Sequence, residues 1–226
     1  MSPIRAVIFD LDGTLLDTIE DLTEASNRVY GTRGLAPFSI EDMKKLVGEG
    51  AEELVQKVFA ARGRPPLSAV DMAAIIRDYR REYERVWRIH SHPYAGIPEL
   101  LDGLARHGIK TAILSNKAQV FTELMTAELL APHRFDIVRG ALPGVPLKPD
   151  PAAALAIAAE LGIAAADCAF VGDTSIDMRT ARAAGMFPIG ALWGFRTAEE
   201  LRTSGAGVLA ASPVDVLGFL EKRDHL

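Results

Sequence analysis

The chain has 226 residues, 49% of them hydrophobic, and its 25 basic and 30 acidic side chains give a net charge of −5. This length allows one large domain or a core with a smaller insertion, and the hydrophobic content is enough for a sizeable buried core. No basic run is long enough to follow a nucleic-acid backbone, and no apolar run approaches the roughly 18 residues that span a bilayer. We therefore expect neither nucleic acid nor a membrane as a partner.

The cysteine content and the first residues bear on the compartment. The chain has one cysteine, Cys168, which excludes an internal disulfide. Residues 1–5 are too few, ahead of the first predicted strand, to form a signal peptide. We therefore expect a cytoplasmic protein.

The first predicted element is a strand that ends in two carboxylates. Apolar residues fill most of positions 4–9, which predicts a strand buried on both faces. Asp10 and Asp12 follow, and side chains two residues apart in an extended chain project to the same side. Two carboxylates this close repel each other unless a cation or a shared proton relieves them. A strand followed by an Asp/Gly turn at Gly13 is the alternative explanation.

From residue 18 to residue 92 the pattern is helical. Helices are predicted over residues 19–30, 40–47, 51–61 and 69–88. Ser39 and Ser68 are predicted N-caps, because each is followed three residues later by an aspartate. About 75 residues without a convincing strand is far more than a crossover between parallel strands needs. We therefore expect a separate helical domain, 18–92, inserted into a core domain formed by 1–17 and 93–226.

After Pro98 helices and strands alternate. Helices are predicted over 98–107, 118–130, 151–161 and 176–184, and strands over 110–114, 137–138, 169–171 and 188–192. An edge strand within 205–211 and a final helix after Ser212 follow, and Asp150 and Ser212 are predicted N-caps before prolines. Alternation of this kind builds a parallel sheet. The predicted fold class is α/β, with a Rossmann-like parallel sheet flanked by helices and an all-helical domain inserted after the first strand.

Polar residues stand at the ends of several predicted strands, where open parallel sheets bind their ligands. Asp10 and Asp173 supply the oxygen ligands that a hard divalent ion such as Mg²⁺ prefers, together with a backbone carbonyl. Ser115, Lys148 and the backbone amides at the start of the helix predicted after Ser115 suit the oxygens of a phosphate group. The pattern therefore predicts a site for a divalent cation and a small anion.

Four motifs in this order resemble the haloacid dehalogenase-like hydrolase superfamily. They are Asp10-Leu-Asp-Gly-Thr14, Ser115-Asn116, Lys148-Pro149 and Gly172-Asp173 with Asp177. Each motif alone is weak, but all four fall at element boundaries in the order that the topology requires. The helical insertion resembles the helical cap of this superfamily.

The resemblance implies a Mg²⁺-dependent phosphatase that works through an aspartyl-phosphate intermediate. Asp10 is then the nucleophile and Asp12 the general acid and base. The metal ligands implied are Asp10, Asp173 and the backbone carbonyl of Asp12. Lys148 is then a catalytic residue that stabilises Asp10 and the transferred group.

The remaining motif residues are given supporting roles by the same resemblance. Thr14, Ser115 and Asn116 are implied to bind substrate. Asp177 is implied to orient a metal-bound water or Lys148. The expected partner is a small phosphorylated metabolite, and the chain is expected to be a monomer or a homodimer.

Several substrates and activities remain open. A carboxylate at Asp12 favours phosphate ester cleavage over dehalogenation, because the superfamily's dehalogenases lack a carboxylate there. The helical insertion, residues 47–51 and residues 192–196 look most like phosphoglycolate phosphatases, which makes 2-phosphoglycolate the leading candidate. Glu49 would repel its carboxylate unless Lys44, Lys45 or an arginine offsets the charge.

The alternatives are other activities of the superfamily and one different class of protein. The former are a pyrophosphatase, a sugar phosphatase or phosphomutase, and a phosphonatase that uses Lys44, Lys45 or Lys57. The latter is a non-catalytic regulatory module that accepts phosphate on an aspartate. Asp12, placed to hydrolyse the intermediate, argues against that last alternative.

Overall fold

A computed structural model describes residues 3–224 of the chain, and side chains up to residue 221. The chain forms two compact units, here termed the sheet unit (Met1–Leu16 and Pro93–Leu226) and the helical unit (Asp17–His92). The strands are β1 (Ala6–Phe9), β2 (Leu16–Asp17), β3 (His92–Pro93), β4 (Lys110–Ala118), β5 (Ile137–Ala141), β6 (Cys168–Gly172), β7 (Phe187–Ala191) and β8 (Val208–Ala210). The α-helices are α1 (Ile19–Gly31), α2 (Ile40–Leu46), α3 (Ala51–Ala61), α4 (Ala69–Val86), α5 (Ile97–Arg106), α6 (Gln119–Leu129), α7 (Ala152–Glu160), α8 (Ser175–Ala183), α9 (Ala198–Thr203) and α10 (Pro213–Asp224).

The sheet unit is organised around a parallel sheet. Within the described residues it has six strands in the order β5-β4-β1-β6-β7-β8, and each neighbouring pair is parallel. This confirms the predicted α/β fold class. β1 lies in the interior of the sheet, and its last residue, Phe9, pairs with Ile113 of β4 and Val171 of β6. The first strand therefore ends between two other strand ends.

Both faces of β1 are covered. Ala6 and Ile8 belong to a cluster of buried apolar residues that includes Ile157 of α7 and Ala181 of α8. The other two residues of β1 are equally buried. A strand without a solvent-facing side reads as a continuous apolar run, which explains why this strand lacks polar alternation.

β4 is longer than predicted. It extends through Ala118, and α6 begins only at Gln119. The helix predicted over residues 118–130 is therefore present as α6 to within one residue at each end, and the residues between Ser115 and this helix belong to the strand. Ala118 pairs with Ala141 of β5 after a register shift beyond Leu114, and this pairing keeps the segment extended.

The end of the chain contains an element that the sequence analysis missed. α9 begins after Thr197, whose Oγ1 accepts a hydrogen bond from the backbone N–H of Glu200 at 3.2 Å. A threonine followed three residues later by a glutamate is a known N-terminal signal that could have revealed this helix. The predicted edge strand is present as β8, and α10 begins at Pro213 after Ser212 as predicted. α7 begins at Ala152, whose N–H is bound by the side chain of Asp150 at 2.8 Å.

The helical unit contains α1 to α4. Ser39 and Ser68 cap α2 and α4 as predicted, since the hydroxyl of each accepts the N–H three residues ahead at 3.1 Å. Inside the unit, the buried ring of Tyr30 on α1 meets the ring of Phe59 on α3 edge to face. Caps and a shared apolar interior therefore fix these helices.

Two hydrogen-bonded anchors lie near the points where the chain passes between the units. In the helical unit, the buried carboxylate of Asp21 accepts the N–H groups of His90 and Ser91 and the Ser91 hydroxyl, at 2.7–3.1 Å. In the sheet unit, the N–H of Tyr94 donates to the carbonyl of Leu15 at 3.2 Å. The chain therefore leaves the sheet unit and returns to it at neighbouring positions.

None of the helices within residues 3–224 is both long and apolar enough to cross a bilayer.

Candidate active site

The predicted site residues of the sheet unit converge where β1 and β6 end and beside the last part of β4. The last residue of β1 pairs with Ile113 and Val171. Asp10 lies one residue beyond this row, and Ser115 and Asp173 lie two residues beyond it. The sheet register therefore brings residues from distant parts of the sequence to one edge.

Asp10 is almost fully buried and is held through one of its oxygens. Its Oδ1 accepts the N–H of Leu11 at 2.7 Å and lies 2.9 Å from Nζ of Lys148. Both donors lie on Oδ1, so Oδ2 is the oxygen without such a donor among the described residues. Burial raises the pKa of Asp10 from 3.8 to about 7, although Lys148 opposes this shift.

Lys148 is buried between two carboxylates. Its ammonium lies 2.9 Å from Asp10 and 2.7 Å from Asp177, and its side chain is 2% exposed. Burial alone would lower the pKa of this ammonium, but Asp10 and Asp177 raise it above its usual value. The Lys148 backbone is fixed by Asn116, whose amide donates to its carbonyl at 2.9 Å and accepts its N–H at 2.8 Å. Lys148 is therefore a permanently charged and well-positioned cation.

Asp177 is tied to the start of α8. Its Oδ2 accepts the N–H and the hydroxyl of Thr174 at 3.0 and 2.6 Å, while its Oδ1 accepts the hydrogen bond from Lys148. This arrangement closes the first turn of the helix. Both oxygens of Asp177 are thus engaged with protein donors, and the residue orients Lys148.

Asp173 is completely buried and is also held by two protein donors. The Thr14 hydroxyl binds Oδ1 at 2.9 Å, and the N–H of Phe195 binds Oδ2 at 2.8 Å. Burial, followed by repulsion from Asp177 and Asp10, raises the pKa of Asp173 from 3.8 to about 8. A cation beside Asp173 would favour its ionised form.

Three glycines allow the backbone to approach these carboxylates closely. A Cβ on Gly13 or on Gly194 would overlap Asp173, and a Cβ on Gly172 would overlap Asp177. Gly13 also has a φ of +83°, a conformation that side-chain-bearing residues rarely adopt. Glycine is therefore required at all three positions by space, and at Gly13 by conformation as well.

The segment after β7 contributes to the site as well. The indole N–H of Trp193 donates to the carbonyl of Thr14 at 2.8 Å, next to the Phe195–Asp173 hydrogen bond. This segment therefore braces the loop that carries Asp10 and Asp12.

One site residue was not found by sequence reasoning. Nζ of Lys117 lies 3.0 and 2.9 Å from the two carboxylate oxygens of Asp12. The two residues are 105 positions apart, and no local pattern connects them. The only sequence signal was the position of Lys117 directly after Ser115-Asn116, at the end of a strand.

The charges of this cluster suit a divalent cation. Oxygens of Asp10, Asp173 and Asp177 lie within 4.8 Å of one another. The candidate site contains four carboxylates and two ammonium groups: Asp10, Asp12, Asp173, Asp177, Lys117 and Lys148. When all six are ionised, two negative charges remain unbalanced. An acidic cluster with this surplus is capable of binding a metal ion.

Comparison with known proteins agrees with this geometry. The profile of the haloacid dehalogenase-like hydrolase family matches residues 7–191. A phosphoglycolate phosphatase from Nitrosospira multiformis is 32% identical over 222 residues, covering 97% of each chain. One from Xanthomonas campestris pv. campestris is 31% identical over 196 residues, covering 87% of this chain and 86% of the relative.

Solved structures give the same result for the fold. A candidate phosphoglycolate phosphatase from Lactobacillus delbrueckii subsp. bulgaricus superposes with a TM-score of 0.90 at 28% identity, covering 97% of this chain and 99% of that one. The chain is a hydrolase with an α/β fold, and its candidate site contains carboxylates and lysines near strand ends. It belongs to the haloacid dehalogenase-like hydrolase family.

Proposed function

We propose that this protein hydrolyses a small phosphomonoester through a phosphorylated Asp10. The observation that carries this proposal is the state of Asp10, which is buried, fixed through Oδ1 by Leu11 and Lys148, and left with Oδ2 for attack. Oδ2 bonds to phosphorus while the bond from phosphorus to the leaving oxygen breaks. Asp12 gives a proton to that oxygen. Asp12 then takes a proton from the water that attacks phosphorus and restores the Asp10 carboxylate.

Mg²⁺ is the proposed cofactor. Asp10, Asp173 and the backbone carbonyl of Asp12 are the proposed ligands, and the surplus negative charge of the cluster supports a divalent ion there. When bound, such an ion offsets the repulsion between an anionic nucleophile and an anionic phosphate. The raised pKa values of Asp10 and Asp173 support the same assignment, since both residues ionise more readily beside a cation.

The remaining site residues divide into two groups. Lys148 stabilises Asp10 and the transferred phosphoryl group, and the Ser115 hydroxyl binds a phosphate oxygen. The resemblance implied that Thr14 and Asn116 bind substrate. The side chain of Thr14 instead binds Asp173, and that of Asn116 binds the Lys148 backbone. We assign these two residues to positioning.

The proposed substrate is 2-phosphoglycolate, and the phosphoglycolate phosphatases that are 31–32% identical to this chain support it. The concern over Glu49 is reduced by its ion pair with Lys57, at 2.6 Å, within the helical unit. Lys44 instead pairs with Glu41. Since Lys57 is engaged in this way, it is a weaker candidate for the lysine of a phosphonatase.

Steady release of phosphate from p-nitrophenyl phosphate with Mg²⁺ tests the reaction. A stable, stoichiometric phosphoprotein without turnover would instead identify a regulatory phosphate acceptor. Values of kcat/KM for 2-phosphoglycolate, pyrophosphate, sugar phosphates and phosphonoacetaldehyde test the substrate. Asp12→Asn should accumulate phosphoenzyme, which can be trapped by acid quench, and a normal rate in this variant would remove Asp12 from proton transfer.

A further inference from the structure

Lys117 places a second buried ammonium next to the proposed general acid. Its side chain is 7% exposed and spans both oxygens of Asp12, whose side chain is 20% exposed. The main chain of Lys117 is held in place by the strand, because β4 remains extended through Ala118. The N–H of Lys117 also donates to the Ser115 hydroxyl at 3.3 Å. The ammonium is therefore held in a defined place within the sheet unit.

The two lysines of the site differ in the carboxylates that they contact. Lys148 lies between Asp10 and Asp177, the nucleophile and the residue that orients the lysine. Lys117 contacts Asp12, the residue proposed to hand a proton to the leaving oxygen. Lys148 is therefore near the proposed position of the phosphoryl group. Lys117 instead binds the carboxylate of Asp12, which contacts the leaving group in the proposed reaction.

This position matters for leaving groups that carry their own negative charge. An ammonium has three rotatable N–H donors, so it is able to bind Asp12 and a second carboxylate together or to exchange one for the other. A partly buried charge pair of this kind is stronger than a pair in water. An uncharged leaving group gains nothing from this cation.

We propose that Lys117 is a specificity-determining residue whose ammonium binds a carboxylate on the leaving group. The inference rests on the proposed function and narrows its substrates to phosphomonoesters of 2-hydroxy acids. In these compounds one carbon separates the ester oxygen from the carboxyl group. Lys117 contacts Asp12, the proposed proton donor to the ester oxygen, and its ammonium is therefore within reach of that carboxyl group. A carboxylate farther along the leaving group would lie beyond this cation.

A pair of substrates that differ only in the charged group tests the proposal. The ratio of kcat/KM for 2-phosphoglycolate to that for 2-hydroxyethyl phosphate is measured in the wild type, in Lys117→Met and in Lys117→Arg. Lys117→Met should lower this ratio about 10- to 100-fold, the range expected for one charge-assisted hydrogen bond. Lys117→Arg should retain most of the ratio. An equal fall in kcat/KM for both substrates would show that Lys117 only positions Asp12, and it would overturn the proposal.

A matched control is available on the same strand. Lys110 is at the opposite end of β4, where it pairs with Asp136. Lys110→Met makes the same substitution away from the site and should leave the ratio unchanged. A comparable change in this variant would show that the effect of Lys117→Met is not specific.

Binding measurements decide the question if Lys117→Met is inactive. Dissociation constants for both compounds are measured by calorimetry with Mg²⁺ in Asp10→Asn and in the Asp10→Asn/Lys117→Met double variant. The second substitution should weaken 2-phosphoglycolate about 10- to 100-fold and 2-hydroxyethyl phosphate by less than about 3-fold. Equal weakening would contradict the assignment. A wild-type enzyme that turns over no phosphomonoester would refute the proposed function instead, which is a separate outcome.

Discussion

One ion pair from each unit shows two opposite environments for charged residues. In the sheet unit, Lys148 and Asp177 form an ion pair with side chains 2% and 0% exposed. In the helical unit, Lys57 and Glu49 pair with side chains 29% and 39% exposed. Water screens the second pair and leaves it with little effect on stability, whereas the first pair is coupled to every charge around it. The two pairs have similar N–O distances, 2.7 and 2.6 Å, but we expect them to contribute very differently to the free energy of unfolding.

The largest effect expected from this contrast is on activity. Asp10→Asn removes the proposed nucleophile and should lower kcat for p-nitrophenyl phosphate by about 10⁴-fold or more. Asp102→Asn, which changes an exposed carboxylate of α5, is the matched control and should keep normal activity. Phosphate release measures both variants. Substantial activity in Asp10→Asn would assign the nucleophile to another residue.

The next effect is on the stability of the sheet unit. Lys148→Met leaves Asp10 and Asp177 buried without their cation and should lower the free energy of unfolding by about 3–5 kcal/mol. The chain's two tryptophans, Trp87 and Trp193, lie one in each unit. Urea unfolding of single-tryptophan variants, followed by fluorescence, therefore reports each unit separately. A loss seen through Trp87 alone would contradict the prediction.

A smaller effect concerns pH and metal removal. The pKa values of Asp10 and Asp173 are raised from 3.8 to about 7 and about 8, so the folded protein holds these protons more tightly than the unfolded chain does. Without metal, stability should fall as the pH rises from about 4 to 8. Mg²⁺ should raise Tm more at pH 8 than at pH 5.5, because binding requires ionised carboxylates. Differential scanning calorimetry in EDTA and in Mg²⁺ tests this, and a Tm shift that is equal at both pH values would contradict it.

The smallest effect is expected in the helical unit. Lys57→Met removes the partner of Glu49 and should change the free energy of unfolding by no more than about 1 kcal/mol, read from Trp87 fluorescence. A change as large as that of Lys148→Met would show that the two ion pairs are equivalent and that the contrast between the units is wrong.

Local signals predicted most of the fold. Short stretches of sequence were enough to predict the caps at Ser39 and Ser68, the apolar first strand and the alternation after Pro98. The length of β4 was not predictable in this way, because it depends on the pairing of Ala118 with Ala141. Tertiary pairing here extended the strand beyond its apolar run and up to the start of α6.

The site was predictable to the extent that its residues follow strands. Asp10 and Asp173 were located from the end of an apolar run, and the sheet register then explains why they meet. The partners of these residues were not predictable, since the contact between Lys117 and Asp12 depends on the order of strands in space. The hydrogen bonds from Thr14 to Asp173 and from Asn116 to Lys148 were not predictable either, because they also join distant parts of the sequence.

The hydrogen bond from Tyr94 to Leu15 has a consequence for protein engineering and for evolution. It holds together the two ends of the sheet unit between which the helical unit is inserted. A short linker between these neighbouring ends would cost little loop-closure entropy. We therefore expect that the helical unit can be replaced by another insertion without changing the order of the strands in the sheet.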